Sequence, residues 1–181
     1  MRVFVGIPLP EAVQDALDPV QDRLPVGRLG DAGNLHLTLA FLDEQPQAVL
    51  QALHEALAAV RAQPFTLQLR GLGTFGARSP RIVWAGVRPE PELAVLRDRV
   101  RGAARRAGID LPRERFRPHV TLARLGDRIA AEELDRLKTF LERFETFPSP
   151  PFEVDAFTLF ESVRTKAGMV YEPLADYAFS K

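Results

Sequence analysis

Two of the three histidines in this chain stand in the same short pattern, each with a threonine two residues further on. The first pattern reads NLHLTL at residues 34–39, and the second reads PHVTL at residues 118–122. Residues i and i+2 of a β-strand share one face, so each imidazole points the same way as its hydroxyl while the apolar residues point into a core. Two imidazoles with ordinary pKa values near about 6.5 can act together as base and acid, as hydrolysis of a strained phosphodiester requires. The predicted catalytic residues are His36, Thr38, His119 and Thr121.

A phosphate group also needs a positive charge nearby, and two arginines flank the second histidine. The threonine hydroxyls can donate hydrogen bonds to the non-bridging oxygens, and a guanidinium group can pair with the negative charge that accumulates on them. Strand alternation places Arg117 on the same face as His119, whereas Arg124 is out of phase unless a bulge redirects it. Both arginines are therefore candidate substrate-binding residues.

A metal ion or a nucleophilic serine fits the sequence less well. Catalytic zinc usually takes three protein ligands, and the sequence has no His-Glu-x-x-His pattern and no cysteine, with only Asp43 or Glu44 near either motif. No Gly-x-Ser-x-Gly pattern supports a serine triad. His54 lies on the flank of an apolar helix stripe without a threonine partner, so we interpret it as structural. We expect neither a metal nor another cofactor.

The elements that carry the two motifs occur twice in the same order. Apolar alternation and helical spacing predict strands at 2–7, 35–42 and 65–72, with helices at 11–24 and 47–61 between them. The order then returns as strands at 81–87, 116–125 and 152–160, with helices at 91–107 and 130–145, and a strand at 170–179 closes the chain. His36 and His119 fall on equivalent strands of this repeat.

The repeat predicts a duplicated α+β protein with one mostly antiparallel sheet per lobe and helices on the outer faces. We expect a single bilobal domain over residues 1–181, with an N-terminal repeat at about 1–78 and a C-terminal repeat at about 79–181. The two lobes can exchange their terminal strands. The two equivalent strands that carry the histidines can then face each other across a cleft.

Composition limits the partners that this protein can have. Lys plus Arg and Asp plus Glu are each 24, so a basic surface spread over the whole molecule is excluded and any contact with RNA must be local. The absence of cysteine suits a reducing cytoplasm, and no apolar stretch approaches the roughly 18 residues that a membrane helix needs. We expect a cytoplasmic monomer with no membrane contact and no obligate protein partner.

The chain resembles the two-histidine (2H) phosphoesterases. Within them it is similar to the bacterial and archaeal RNA 2′,3′-cyclic phosphodiesterases, also called LigT-like or 2′-5′ RNA ligase-like proteins. Apart from the histidine motifs, the segments that carry the resemblance are residues 2–5, 41–42, 71–75, 83–87, 116–124 and 159–162, with Gly168 and Tyr171. The two motifs at this spacing are specific, whereas the other segments are individually weak.

The resemblance implies a V-shaped central cleft, no metal, and hydrolysis of an RNA-terminal 2′,3′-cyclic phosphate to a 2′-phosphate. It also implies that Arg124, rather than Arg117, contacts the phosphate. Phe41 becomes a candidate for stacking on a nucleobase, with a place in the core as the alternative interpretation. The sequence departs from the family at Asp43, where glycine commonly follows the Phe-Leu pair, and this departure affects the loop beside Phe41.

Two alternatives stay open at the level of sequence. The first is a protein that uses the same cleft to bind RNA ends, or to join them through 2′-5′ bonds, without hydrolysis. The second is a 2H phosphodiesterase that acts on a small cyclic nucleotide. We assign His119 as the base for water and His36 as the acid for the leaving 3′ oxygen, although the symmetry of the repeat leaves the two roles interchangeable.

Overall fold

The structure, a computed structural model, describes residues 1–29 and 34–179. Within these ranges it contains ten strands and four helices. The strands are β1 (Arg2–Pro8), β2 (Arg28–Leu29), β3 (His36–Glu44), β4 (Phe65–Leu67), β5 (Leu69–Phe75), β6 (Ile82–Val87), β7 (His119–Arg124), β8 (Phe152–Val154), β9 (Ala156–Thr165) and β10 (Gly168–Ala178). The helices are α1 (Glu11–Gln21), α2 (Gln47–Ala58), α3 (Pro91–Arg106) and α4 (Ala131–Arg143).

Most of the strands belong to one large antiparallel sheet, in the order β10-β9-β1-β3-β7-β6-β5, with β2 paired to β7. A small second sheet consists of β4 and β8. The predicted α+β class with mostly antiparallel sheets is confirmed. Two groups of strands are joined into the large sheet through one residue pair, Leu37 with Val120, between β3 and β7.

The order of the strands places the two histidine strands at the centre of the sheet. On one side β3 is followed by β1 and β9, and on the other side β7 is followed by β6 and β5. The late strand β9 thus pairs with the first strand of the chain, while β5 pairs with β6. The division of the chain into two repeats near residue 78 stays a prediction.

The core lies between the helices and the face of the sheet that carries Leu37 and Val120, both of which are fully buried. In α1 the buried residues Val13, Leu17 and Val20 recur at helical spacing, so one stripe of the helix packs on this core. Each of the other three helices also buries one apolar stripe there. The opposite face of the central strands is therefore left for polar groups.

The ends of the helices follow from local sequence. Pro91 is the first residue of α3, where its fixed φ suits a helix and its missing N–H costs nothing. At the start of α4 the carboxylate of Glu133 accepts a hydrogen bond from the backbone N–H of Ala130 at 3.0 Å. None of the helices in the described ranges combines the length and the apolar character that crossing a bilayer would need.

Candidate active site

The four predicted catalytic residues lie on neighbouring strands and on one face of the sheet. Leu37 and Val120 are directly opposite each other and point into the core. The residues on either side of them therefore point to the opposite face, where all four are partly exposed. These residues are His36 and Thr38 on β3, with His119 and Thr121 on β7. The structure thus brings two imidazoles and two hydroxyls to one surface.

Both imidazoles are oriented in the same way by the backbone. Nδ1 of His36 donates a hydrogen bond to the carbonyl oxygen of Asn34, and Nδ1 of His119 donates one to the carbonyl oxygen of Arg117, each at 2.7 Å. Because a carbonyl oxygen can only accept, Nδ1 is the protonated nitrogen in each ring and Nε2 is the atom available for proton transfer. Nε2 of His36 also lies 3.1 Å from Oγ1 of Thr38, within hydrogen-bond distance.

The segments that contain the two orienting carbonyl groups are held by different neighbours. The side chain of Asn34 binds β10 twice, because its Nδ2 donates to the carbonyl of Met169 at 2.9 Å and its Oδ1 accepts from the N–H of Tyr171 at 3.3 Å. On the other side Arg117 lies in the irregular segment between α3 and β7. Two buried arginines of α3 bind Glu114 in this segment, Arg97 at 3.3 Å and Arg101 at 3.0 Å. Both supports come from residues distant in the sequence.

A β-bulge in β7 turns Arg124 to the same face as His119. Along β6, Val83 pairs with Ala123 but the next residue, Trp84, pairs with Thr121, so Leu122 is an extra residue in β7. Leu122 and Ala123 are both buried, and Arg124 is exposed. The sequence left Arg124 out of phase unless a bulge redirects it, and β7 contains such a bulge.

The bulge leaves the carbonyl group of Leu122 to a partner outside the strand ladder. The side-chain Nε2 of Gln21, a buried residue at the end of α1, donates to this carbonyl oxygen at 3.0 Å. An extra residue in a strand otherwise has an unpaired backbone group, which is costly when buried. The amide of Gln21 therefore supports the local conformation that directs Arg124.

Strand alternation does not apply to Arg117, because β7 begins only at His119. The Arg117 side chain is exposed, and its contact with the site is made by its backbone carbonyl group, which binds His119. Its role in binding substrate stays a prediction.

Phe41 occupies the position on β3 that Arg124 occupies on β7. A bulge lies at Leu39, since Val5 pairs with Ala40 and Gly6 with Thr38. Phe41 is 60% exposed, so the alternative interpretation of this residue as part of the core is wrong. A second bulge follows, and Asp43 has φ 58°, a left-handed conformation that glycine adopts freely and aspartate tolerates better than most residues.

Aromatic rings enclose one imidazole more than the other. The ring of His36 lies 4.6 Å from Phe4 and 5.0 Å, edge to face, from Tyr171. Phe160 is a third neighbour, at 6.0 Å. The ring of His119 contacts Phe75 edge to face at 4.8 Å. Sequence reasoning missed these aromatic residues as parts of the site, because they come from four different strands.

Burial lowers the pKa of His36 below its ordinary value. The hydrogen bond to the carbonyl of Asn34 acts in the opposite direction, and the positive charges of His119 and Arg124 lower the pKa further. Both of these groups therefore lie close enough to His36 to influence its charge. Burial and these charges therefore favour the neutral form of His36 relative to an imidazole in water.

The remaining histidine lies elsewhere and has a different partner. Nδ1 of His54, on α2, shares a hydrogen bond with the hydroxyl group of Tyr177 on β10 at 2.9 Å, and burial raises the pKa of Tyr177 to about 12. Among residues 1–29 and 34–179, no three His, Cys, Asp or Glu side chains are grouped as a metal ion would need.

Comparison with known proteins places this site in a family. The profile of the 2′-5′ RNA ligase superfamily matches residues 9–166. An RNA 2′,3′-cyclic phosphodiesterase of Archaeoglobus fulgidus is 32% identical over 179 residues, which cover 96% of this chain and 98% of that protein. One of Geobacillus stearothermophilus is 41% identical over 128 residues, or 67% of this chain, and the match spans 41% of its length.

A solved structure extends the likeness to the whole fold. The crystal structure of E. coli LigT complexed with 3′-AMP has a TM-score of 0.81 and 30% sequence identity, and the match covers 99% of this chain and 98% of that one. The chain belongs to the 2′-5′ RNA ligase superfamily of two-histidine phosphoesterases, as the sequence predicted.

Proposed function

We propose that this protein hydrolyses the 2′,3′-cyclic phosphate at the end of an RNA to a 2′-phosphate, without a metal ion. The observation that carries the proposal is the pair of imidazoles on adjacent strands, each with Nδ1 bound to a backbone carbonyl and Nε2 available. Relatives named RNA 2′,3′-cyclic phosphodiesterases support the choice of substrate.

In the proposed reaction one imidazole takes a proton from water while the other gives a proton to the leaving group. Nε2 of His119 accepts the proton, the water oxygen attacks phosphorus, and the bond from phosphorus to the 3′ oxygen breaks. Nε2 of His36 protonates that oxygen, so the product carries a 3′ hydroxyl and a 2′-phosphate. Because attacking water must reach the base, the less enclosed His119 suits this role better than His36, which three aromatic rings surround.

The lowered pKa of His36 is compatible with an acid role once substrate is bound. A cyclic phosphate brings a negative charge close to the ring, and an opposite charge within a few ångströms favours the protonated form. The hydroxyls of Thr38 and Thr121 donate to the non-bridging oxygens, and the guanidinium of Arg124 pairs with them. The bound substrate thus supplies the negative charge that favours the protonated form of His36, the proposed acid.

The test is turnover of a short RNA that ends in a 2′,3′-cyclic phosphate, measured in excess EDTA. We expect hydrolysis to persist, since imidazoles and hydroxyls fill every role in the reaction, and NMR should place the product phosphate on the 2′ oxygen. Loss of activity in EDTA that Zn²⁺ or Mn²⁺ restores would contradict the metal-free mechanism.

The same assay separates the two alternatives. Binding of the RNA end without turnover would favour an RNA-end binding or joining protein. Much faster turnover of a mononucleoside cyclic phosphate than of the oligonucleotide would favour a small cyclic nucleotide as substrate. The cytoplasmic location and the monomeric state stay predictions of the sequence.

A further inference from the structure

The two-residue strand β2 places a second arginine beside Arg124. Arg28 is directly opposite Arg124 in the antiparallel pair of β2 and β7. Directly opposite residues carry their side chains on the same face of a sheet, with Cβ atoms about 4.5–5.5 Å apart. Both side chains are exposed. Arg28 therefore extends the positive surface that begins at Arg124.

Nothing in the described ranges neutralises this pair of like charges. The ion pairs found among those residues involve other arginines or the N-terminal amine, and neither Arg28 nor Arg124 takes part in them. Like charges directly opposite each other repel and destabilise a sheet. An anionic ligand would reduce this repulsion.

The backbone holds Arg28 in this position. Gly27 has φ 108°, a conformation that side chains rarely adopt, and a Cβ there would lie 2.7 Å from Cδ2 of Leu125 and 3.2 Å from the carbonyl oxygen of Arg124. The segment that carries Arg28 is thus packed closely against the end of β7. Because glycine at position 27 permits this approach, the pairing of Arg28 with Arg124 is a property of the folded backbone and not a chance contact of two long side chains.

We propose that Arg28 binds the internucleotide phosphate immediately 5′ of the terminal nucleotide, and this inference rests on the proposed function. A cyclic phosphate carries one negative charge, and Arg124 with one protonated imidazole already supplies two positive charges. A third cation at the same phosphate would be in excess. An RNA chain brings a further phosphate close to the first, whereas a mononucleotide does not, so Arg28 is the residue that distinguishes an RNA end from a small cyclic nucleotide.

The charge of the whole protein supports a local contact of this kind. With 24 basic and 24 acidic residues, the molecule has no general attraction for RNA. Selection of RNA over a mononucleotide must then come from individual side chains beside the site. Arg28 is positively charged and exposed, and its pairing with Arg124 places it where it can provide one such contact.

The experiment compares Arg28→Gln with the unmodified protein on two substrates. For a four-nucleotide RNA ending in a 2′,3′-cyclic phosphate we expect KM to rise about tenfold, the scale of one charge-assisted hydrogen bond, with kcat unchanged. For a mononucleoside 2′,3′-cyclic phosphate we expect kcat/KM to stay within about twofold. The salt dependence of oligonucleotide binding should also weaken, by about 0.7 in the slope of log K against log salt.

Arg88→Gln serves as the matched control, because Arg88 is an exposed arginine just beyond the far end of β6. This substitution should leave kcat and KM unchanged on both substrates. Equal losses on the two substrates would show that Arg28 binds the cyclic phosphate itself and would overturn the proposal, as would no loss on either. If the unmodified protein turns over neither substrate, the proposed function fails, and fluorescence anisotropy with the same oligonucleotide still shows whether Arg28 contributes to RNA binding.

Discussion

The two histidine strands share one backbone design but present different side chains. Residues 36–43 read HLTLAFLD and residues 119–126 read HVTLARLG. Each strand contains a bulge after its threonine, at Leu39 in β3 and at Leu122 in β7. The bulge redirects the third residue after each threonine to the face of the histidines, and that residue is Phe41 in one strand and Arg124 in the other.

This difference divides the site into an aromatic side and a cationic side. The rings of Phe4, Phe160 and Tyr171 surround His36 and Phe41 packs on Phe4, while β7 carries Arg124 with Arg28 opposite it on β2. An aromatic surface suits a nucleobase and a cationic surface suits phosphate. Under the proposed function, we expect the residue redirected by the bulge to contact the nucleobase in β3 and the phosphate in β7, beside the paired imidazoles.

The largest expected effects are those that test whether the two histidines act as one unit. His36→Ala and His119→Ala should each lower kcat by about 10²- to 10⁴-fold, the range for a general acid or base. The double variant should be little worse than either single variant, because a reaction without its base gains nothing from its acid. Steady-state kinetics on the cyclic-phosphate RNA measure this.

His54→Ala is the matched control for this experiment. His54 lies on α2 and binds Tyr177, so its loss should leave kcat unchanged although it removes a hydrogen bond. Multiplying effects of the two active-site substitutions would show that the imidazoles act independently, and the two histidine strands would not form one catalytic unit.

Arg124→Ala should have the next largest effect, a loss of about 10²- to 10³-fold in kcat, as is usual when one preorganised donor to a developing charge is removed. Arg124→Lys should recover only part of this, since an ammonium group cannot bind two phosphate oxygens in the planar way that guanidinium does. Arg117→Ala should have little effect, because its contact with the site is made by its backbone. A severe loss of kcat in Arg117→Ala, together with unchanged kcat in Arg124→Ala, would show that Arg117 binds the phosphate and that the arginine redirected by the bulge does not.

Phe41→Ala should affect binding more than chemistry. Stacking of one base on an aromatic side chain contributes about 1–3 kcal/mol, so KM for an RNA end should rise by about 5- to 150-fold with kcat unchanged. Phe41→Tyr should retain the stacking surface and most of the affinity. Leu174→Ala, which removes another exposed apolar side chain, should leave KM unchanged. A fall in kcat with constant KM would show that Phe41 does not belong to a base-binding side.

Local patterns in the sequence were sufficient for the four helices, for most strands and for choosing the four candidate catalytic residues. The predicted strands at 65–72 and 152–160 are each two strands in different sheets, β4 with β5 and β8 with β9. Apolar periodicity placed the third helix at 91–107, against Pro91–Arg106 in the structure, and the last strand at 170–179, against Gly168–Ala178. The motif residues share a face because alternation is a property of any strand. These features depend on residues close together in the chain.

What the sequence did not reveal depends on contacts between distant residues. The pairs Leu39-Ala40 and Leu122-Ala123 are consecutive apolar residues that break alternation, and this signal could have indicated the bulges. The hydrogen bond from Gln21 to Leu122 joins residues 101 positions apart and leaves no local pattern. The strand β2 is only two residues long, too short for any periodicity, so Arg28 could not be placed beside the site.

The smallest expected effect concerns the different electrostatic environments of the two histidines. Because burial lowers the pKa of His36, NMR titration of the free protein should show this ring losing its proton below the ordinary value near about 6.5. Removal of a neighbouring positive charge by Arg124→Gln should raise the pKa of His36, but only partly, since burial is the larger cause. Addition of 2′-AMP should raise it as well, through the negative charge of the phosphate.

The same shift links His36 to the stability of the fold. A group with a lowered pKa in the folded state binds fewer protons there than in the unfolded state, so its contribution to stability is lost as the pH falls through about 6.5 towards the folded pKa. The midpoint of urea unfolding should therefore decrease between pH 7 and pH 5, and His36→Gln should reduce that decrease.

With both active-site histidines present, kcat/KM should show a bell-shaped dependence on pH, with limbs on either side of neutrality. A His36 ring that titrates above its ordinary value in the free protein would contradict the effect of burial on this histidine, and the assignment of the less enclosed His119 as the base would then have to rest on access for water alone.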